Sequence, residues 1–358
     1  MDIKSLVRKE VASLSAYEPE DYSGVRIKID AMENPYPLPD ELREGLLQAL
    51  AEVSLNRYPD PEARRLKAAL AGYLGVGAES LVLGNGSDEL IAMITQTFGG
   101  SPGLVAYPVP TFSMYGIIAR SMGQEVMELP LTDDFQIDFD GWLKLFSERR
   151  PKVIFISYPN NPTGNLFDPD KIRRLIEGCF SIVVVDEAYF SFSSESLIGK
   201  INELPNLAVL RTLSKVGMAG LRLGVMAAGK DIVREVNKVR LPYNINSLSQ
   251  AAAQHLLVNR AAVDLQVSKI IAERERLFSA LNEIDGVTAW PSKTNFILFR
   301  VAGASRIHKE LKARGILVRN MDVPGPLKDC LRVTVGTPEE NEEFISSLKE
   351  IRYLFEKR

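Results

Sequence analysis

Four stretches of this 358-residue chain carry an apolar run straight into side chains that could do chemistry. The first passes from residues 207–210 into Arg211-Thr212-Leu213-Ser214-Lys215, followed by Gly217, Gly220, Arg222 and Gly224. A lysine amine is nucleophilic only when neutral, and a nearby cation such as Arg222 is one means of lowering its pKa from about 10.4. Taken alone, the stretch favours an ordinary exposed loop lysine, and the rest of the chain must decide. The second is Gly84-Asn85-Gly86-Ser87-Asp88-Glu89. Its glycines let backbone N–H groups converge, Ser87 can cap the following helix, and the positive helix end favours an anion, as in a phosphate cradle. A tight strand-to-helix turn explains the same residues, and Glu89 stands where a third glycine would complete the dinucleotide fingerprint. The third, Tyr158-Pro159-Asn160-Asn161-Pro162-Thr163-Gly164, suits a turn, or a turn from which Asn161 donates a hydrogen bond to a ligand. The fourth, Val183-Val184-Val185-Asp186-Glu187-Ala188-Tyr189, ends an apolar strand on an acid. Such a carboxylate has a high desolvation cost unless a cation meets it, so Asp186 is expected to have a partner.

An acid at the end of an apolar strand is also half of a nucleotide-hydrolase signature, and residues 224–230 read G-x-x-x-x-G-K. Asp231 then stands where a magnesium-binding hydroxyl is required, and the two motifs come in reversed order, so that reading is rejected. The four strand ends together match the needs of pyridoxal phosphate. Its aldehyde requires a lysine, its protonated pyridine nitrogen a carboxylate, its phenolic oxygen hydroxyl or amide donors, and its phosphate a helix end plus an arginine.

The elements that must position these groups alternate along the chain. Apolar runs at residues 81–83, 104–107, 153–157, 182–185, 207–210 and 223–227 are separated by helical patterns such as 89–98 and 169–178. Uninterrupted Val, Ile and Leu implies strands buried on both faces. This predicts an α/β fold with a large, mostly parallel sheet flanked by helices and ligands at the strands' carboxyl ends. Residues 1–55, broken by Pro35, Pro37 and Pro39, read as an N-terminal arm lying over other surfaces, with part of a small domain. Residues 56–242 form the large domain, whose first helix is expected to begin with Asp60 as N-cap and Pro61 as first helical residue. Residues 243–358 form a smaller C-terminal domain. It should hold a long helical region over 249–284, strands at 295–301, 316–319 and 331–335, and a helix at 305–314. Thr337-Pro338-Glu339-Glu340 should open its last helix.

Composition narrows the function classes. With 46% hydrophobic and 25% charged residues and a net charge of -3, the chain reads as a soluble globular protein without the basic field that nucleic-acid binding requires. No signal-like N-terminus and no apolar run near about 18 residues is present, so a cytoplasmic protein with no membrane partner is expected. Cys179 and Cys330 match no metal or redox spacing, and His255 and His308 are the only histidines, so no metal site is expected.

Nearly the whole chain resembles the fold-type I pyridoxal phosphate-dependent aminotransferases, and within them the histidinol-phosphate aminotransferase family. The matching segments, in order, are ENPYP, NRYPDP, GNGSDE, YPNNPTG, VVDEAY, RTLSK, AGLRLG, TNFIL, GILVRN and CLRVTVG. The resemblance implies that Lys215 is the Schiff-base lysine and a general acid and base, that Asp186 keeps the pyridine nitrogen protonated, and that Asn161 and Tyr189 bind the ring oxygen. It implies a phosphate site of Gly86, Ser87, Ser214, Arg222 and Asp88, the last mainly through its backbone N–H, with Phe112 stacked on the ring. Tyr58 would reach the neighbouring subunit's cofactor phosphate, which makes the active unit a homodimer. Tyr17, Asn295, Arg319 and Arg332 would bind substrate, with Arg332 on the carboxylate of glutamate and 2-oxoglutarate. The implied reaction is a ping-pong transamination between L-histidinol phosphate and 2-oxoglutarate in histidine biosynthesis. An aromatic-amino-acid aminotransferase or a threonine-phosphate decarboxylase would use nearly the same cofactor residues, and a non-catalytic cofactor-binding regulatory module is the alternative from another class. The chain departs from the family pattern at three places. Lys215 and Arg222 are seven residues apart rather than eight, Met32 stands where relatives often have asparagine, and Phe112 replaces a frequent tyrosine.

Overall fold

Successive residues of a strand point to opposite sides, so the apolar runs at 153–157, 182–186 and 207–212 need cover on two faces. A computed structural model, which describes residues 1–355 apart from Tyr17, Pro19 and Ser101, shows how they obtain it. The strands, in chain order, are β1 (Ile27–Lys28), β2 (Leu81–Asn85), β3 (Leu104–Val109), β4 (Glu125–Pro130), β5 (Val153–Ser157), β6 (Ile182–Asp186), β7 (Leu207–Thr212), β8 (Leu223–Ala228), β9 (Val287–Ala289), β10 (Phe296–Val301), β11 (Ile316–Leu317), β12 (Arg319–Asn320) and β13 (Cys330–Thr334). Seven of them form one sheet in the order β2-β8-β7-β6-β5-β3-β4. On one side Phe155, Val184 and Leu210 pack with Leu90, Ile94 and Tyr115; on the other, Ile154, Val185 and Val209 pack in the core that holds Ile172 and Leu175. Each such side chain taken fully from water stabilises by about 1.5–3 kcal/mol.

The pairings of β4-β3-β5-β6-β7 are parallel, whereas β8 runs antiparallel to both β7 and β2. The carboxyl ends of β2, β3, β5, β6 and β7 therefore share one sheet edge with the amino end of β8. The edge strand β4 is absent from the apolar runs of the sequence because its burial alternates and Glu125 and Glu128 face solvent, the charged pattern that protects an edge from further pairing.

A second, antiparallel sheet has the order β12-β13-β10-β9, and β1 pairs in parallel with β11 beside it. Ile29 accepts the Thr334 N–H at 2.8 Å, which ties the N-terminal segment to β13. Within residues 1–55 the prolines do not exclude a helix: Asp40–Ala51 starts directly after Pro39, with the prolines preceding rather than interrupting it.

Three other expectations are corrected. The helix predicted from Pro61 begins at Arg64, since Asp60 accepts N–H groups from Glu62 and Arg64 across a turn in which Ala63 has φ 45°. The long region at 249–284 is two helices, Ser247–Val258 and Ala261–Asn282; Asn259 caps the first, leaving helical geometry at φ -108° while its side-chain amide covers the His255 carbonyl. Ser87 is the first helical residue rather than the cap, which is Gly86. The final helix, Pro338–Glu350, does open with a Thr337–Glu340 capping box. No helix among the described residues is long and apolar enough to cross a membrane.

Candidate active site

The shared strand edge surrounds a cavity of about 230 Å³, lined by Ser87, Asp88, Phe112, Asn161, Asp186 and Tyr189, and also by Ser214, Lys215 and Arg222. Residues from five different segments of sequence therefore meet there. A roomier groove of about 670 Å³ lies by Phe98, Ile176 and Phe180, but apart from Cys179 its ionisable lining residues are exposed.

Lys215 enters the cavity from a doubled turn. Two short 3-10 helices, Ser214–Val216 and Ala219–Leu221, are joined through Gly217 at φ 97°, and Arg222 adopts φ 50° before β8 begins. The Leu213 N–H donates to the Leu223 carbonyl at 3.2 Å, closing the turn, so a seven-residue step returns Arg222 to the cavity that holds Lys215. Burial lowers the Lys215 pKa to about 8, and the charges of Arg332 and Arg222 push the same way against Glu33 and Asp88. Its Nζ lies 5.9 Å from the centre of the Tyr189 ring.

The cradle depends on two glycines. Gly86 has φ +84°, and a Cβ on it would lie 2.7 Å from Arg222 Nη2; one on Gly224 would lie 2.6 Å from the Gly86 carbonyl carbon. A side chain at Gly86 would be strained and would push the Arg222 guanidinium aside, and one at Gly224 would collide with the backbone that opens the Ser87–Phe98 helix. Arg222 Nη2 is 3.6 Å from Asp88 Oδ2, so the Asp88 carboxylate, as well as its backbone, belongs to this corner. Glu89, where a glycine fingerprint would fail, instead accepts from the Asn85 N–H and from Asn244 Nδ2 and holds the loop shut.

Asp186 is 3% exposed at the cavity floor. The cation expected to meet it is not its direct partner. Oδ2 accepts the Tyr115 hydroxyl at 2.8 Å, Oδ1 accepts the Ala188 N–H at 3.1 Å, and Lys215 acts only through its charge. Burial raises the Asp186 pKa to about 6 despite these donors. Tyr115 is the site residue that sequence reasoning missed, since it lies 71 positions away on the helix Met114–Ser121. Its presence in PVPTFSMYG, one turn after Phe112, was the available signal. The neighbouring acid Glu187 is buried with Arg211, Nε to Oε2 2.9 Å, and the guanidinium stacks 3.3 Å from the centre of the Phe190 ring. This pair fastens the ends of β6 and β7 and does not line the cavity.

A one-directional chain of hydrogen bonds crosses the site. Arg332 Nη1 donates to Asn161 Oδ1 at 2.6 Å, Asn161 Nδ2 donates to the Tyr189 oxygen at 3.3 Å, and the Tyr189 hydroxyl donates to Met32 Sδ at 3.3 Å. Arg332 is 6% exposed, its Nη2 donates to the Asp30 carbonyl at 3.0 Å, and burial lowers its pKa to about 10, which still leaves it charged. Arg319 stands directly opposite Arg332 in the β12–β13 ladder, so both side chains emerge on one face. Asn295 is fully buried and donates to the Met32 carbonyl at 2.9 Å. Tyr58 is elsewhere: it is 81% exposed and stacks on Tyr243 with ring centres 4.5 Å apart. Tyr17 lies outside the described residues.

The model for the family described as aminotransferase class I and II matches residues 26–348. The chain belongs to the class I and II aminotransferases. It is a pyridoxal phosphate-dependent aminotransferase with the α/β fold of fold type I. A histidinol-phosphate aminotransferase 2 from Nitrosococcus oceani is 45% identical to it over 347 residues, 96% of each chain. One from Aquifex aeolicus is 41% identical over 96% of this chain and 98% of its own. In fold, the chain is similar to the crystal structure of histidinol-phosphate aminotransferase from Sinorhizobium meliloti in complex with pyridoxal-5'-phosphate, with a TM-score of 0.88, 22% identity and 98% of both chains covered. The aminotransferase's own residues fit such a cofactor. Asp88 Oδ1, Asn295 Oδ1 and Arg332 Nε are buried around the site without protein partners, which suits a polar ligand, and the glycines leave room above the helix start.

Proposed function

We propose that this aminotransferase moves the amino group of L-histidinol phosphate to 2-oxoglutarate, a step of histidine biosynthesis, by a ping-pong mechanism. The observation that carries the substrate assignment is the Arg319–Arg332 pair. Like charges directly opposite in a ladder are unfavourable, and an anion between them removes the conflict. A phosphate in one half-reaction and a carboxylate in the other meet the same requirement.

Bound pyridoxal phosphate supplies a carbonyl for the substrate amine and a ring that withdraws electrons. The chain's residues do the remaining work. Burial and the charges of Arg332 and Arg222 favour the neutral Lys215 amine, whose Nζ takes the substrate Cα proton and returns it one position along. Asp186, ionised above about pH 6, keeps a proton on the pyridine nitrogen. Gly86, Ser87 and Asp88 at the helix start, with Ser214 and Arg222, hold the phosphate. Asn161 and Tyr189 meet the ring oxygen, Phe112 covers the ring face, Asn295 lines the substrate pocket, and Tyr17 joins the two arginines on substrate. In this division residues 56–242 carry the cofactor, and residues 243–358 with part of 1–55 carry the substrate anion.

Turnover of a panel of amino donors with 2-oxoglutarate tests the substrate. Histidinol phosphate should be preferred over phenylalanine and tyrosine by kcat/KM; no turnover of it, or carbon dioxide release from threonine phosphate, would sink the assignment. Tyr115→Phe tests the site. Loss of a hydrogen bond to a charged group should lower transamination roughly 10- to 100-fold. Because the Asp186 carboxylate then ionises at higher pH, the loss should be greater near pH 6 than near pH 8.

The working unit in this reading is a cytoplasmic homodimer, with Tyr58 reaching the other subunit's cofactor phosphate. Leu47, Leu55, Tyr58, Leu241 and Leu248 are large apolar residues between 43% and 81% exposed, which supports an occluded face. Sedimentation at the mass of one chain would overturn the dimer.

A further inference from the structure

Met32 is held at three points. Its N–H donates to Thr334 Oγ1 at 2.9 Å, its carbonyl accepts from Asn295 Nδ2 at 2.9 Å, and its Sδ accepts from the Tyr189 hydroxyl at 3.3 Å. Thr334 closes β13, Asn295 precedes β10 and Tyr189 follows β6, so this one residue joins both sheets at the cavity. Its φ of 57° lies in the left-handed region that few residues other than glycine, asparagine and aspartate adopt. The surrounding bonds, rather than local preference, hold it there.

Met32 Sδ is also where the chain of bonds from Arg332 through Asn161 and Tyr189 ends. The Tyr189 oxygen already receives the Asn161 amide, and among the described residues the thioether is the acceptor for its single proton. Tyr189 is 3% exposed and lines the cavity, so the thioether is its acceptor on the protein side and anything else that accepts its proton must come from the cavity. A thioether is a weak acceptor: it satisfies a buried hydroxyl, and an oxygen of a bound group outcompetes it.

We propose that Met32 is a positioning residue for the cofactor: its sulfur sets the direction of the Tyr189 O–H and competes with the cofactor's ring oxygen for that proton, which tunes how tightly the cofactor is held. This rests on the pyridoxal phosphate reading of the site given above. Met32→Leu keeps the bulk and the backbone strain and removes only the acceptor. The Tyr189 hydroxyl is then without a protein acceptor, so a ligand oxygen no longer competes with the thioether for its proton.

The test is equilibrium binding of pyridoxamine phosphate, which makes no bond to Lys215, followed by protein fluorescence, together with thermal melting of cofactor-free protein. Met32→Leu should lower the Kd by roughly three- to tenfold. It should also lower the melting temperature without ligand, with the deficit shrinking at saturating ligand. In a Tyr189→Phe background the same substitution should leave the Kd unchanged. An unchanged or raised Kd in the Tyr189 protein, or an equal shift in the Tyr189→Phe protein, overturns the proposal. Failure of the unsubstituted protein to bind pyridoxamine phosphate would instead overturn the cofactor reading and, with it, this one.

Discussion

Lys215→Ala is expected to abolish transamination while leaving the fold intact. Proton transfer by a positioned base contributes roughly 10²- to 10⁴-fold, and this variant also loses the only side-chain amine placed in the cavity among the described residues. The check is conversion of the amino donor in a single half-reaction; a rate within tenfold of the unsubstituted protein would remove Lys215 from the mechanism. Stability should move the other way. The Lys215 pKa is about 8 in the folded protein against 10.5 for the free side chain, so between those values the unfolded chain binds more protons and stability rises with pH. Below about pH 8 the folded protein bears the full cost of a buried ammonium. Lys215→Met, which keeps the length without the charge, should therefore stabilise cofactor-free protein by on the order of 3 kcal/mol at pH 7. That gain should fade toward pH 10.5, and urea unfolding across the range reads it directly. A gain that does not change with pH would mean that the amine is not desolvated as the geometry implies.

Lys215, Asp186, Asn161 and the Gly86–Asp88 corner were legible because each sits where a strand must end, so one local pattern of apolar residues, glycines and prolines both makes the turn and places the group. What escaped has a common cause. Tyr115 acts on Asp186 across 71 positions, and nothing in VVVDEAY names a hydroxyl from another helix. Glu187 and Arg211 stand in two of the recognisable segments, yet their role is to fasten β6 to β7, which becomes visible only when those strands are neighbours. β4 hid because its half-buried alternation lacks the run of Val and Ile by which its neighbours were found. Asp60 has the right capping chemistry at the wrong place, since its bonds to the Glu62 and Arg64 amides and to the Arg64 side chain delay the helix. Met32 departs from the family pattern in the sequence, but only the fold shows its sulfur against Tyr189.

Arg332 offers the second large effect, and two variants separate what its charge does from what its shape does. Arg332→Ala takes away the proposed anion ligand and leaves Asn161 Oδ1 without its 2.6 Å donor. Truncating one partner of a buried, hydrogen-bonded charge site costs about 2–5 kcal/mol, so kcat/KM for 2-oxoglutarate should fall roughly 10²- to 10³-fold. The same variant removes a positive charge that helps to lower the Lys215 pKa, so Lys215 should titrate at higher pH than in the unsubstituted protein. Arg332→Lys keeps a charge but not the planar fork that serves Asn161 and the Asp30 carbonyl together. It should lose most of the binding while holding the Lys215 titration nearer its original position. Arg319→Ala, on the outer side of the ladder, should weaken substrate binding without disturbing the Asn161–Tyr189 bonds. If both Arg332 variants lost activity equally and neither moved the Lys215 titration, the guanidinium would be a structural cross-link between the sheets rather than the anion ligand of the site.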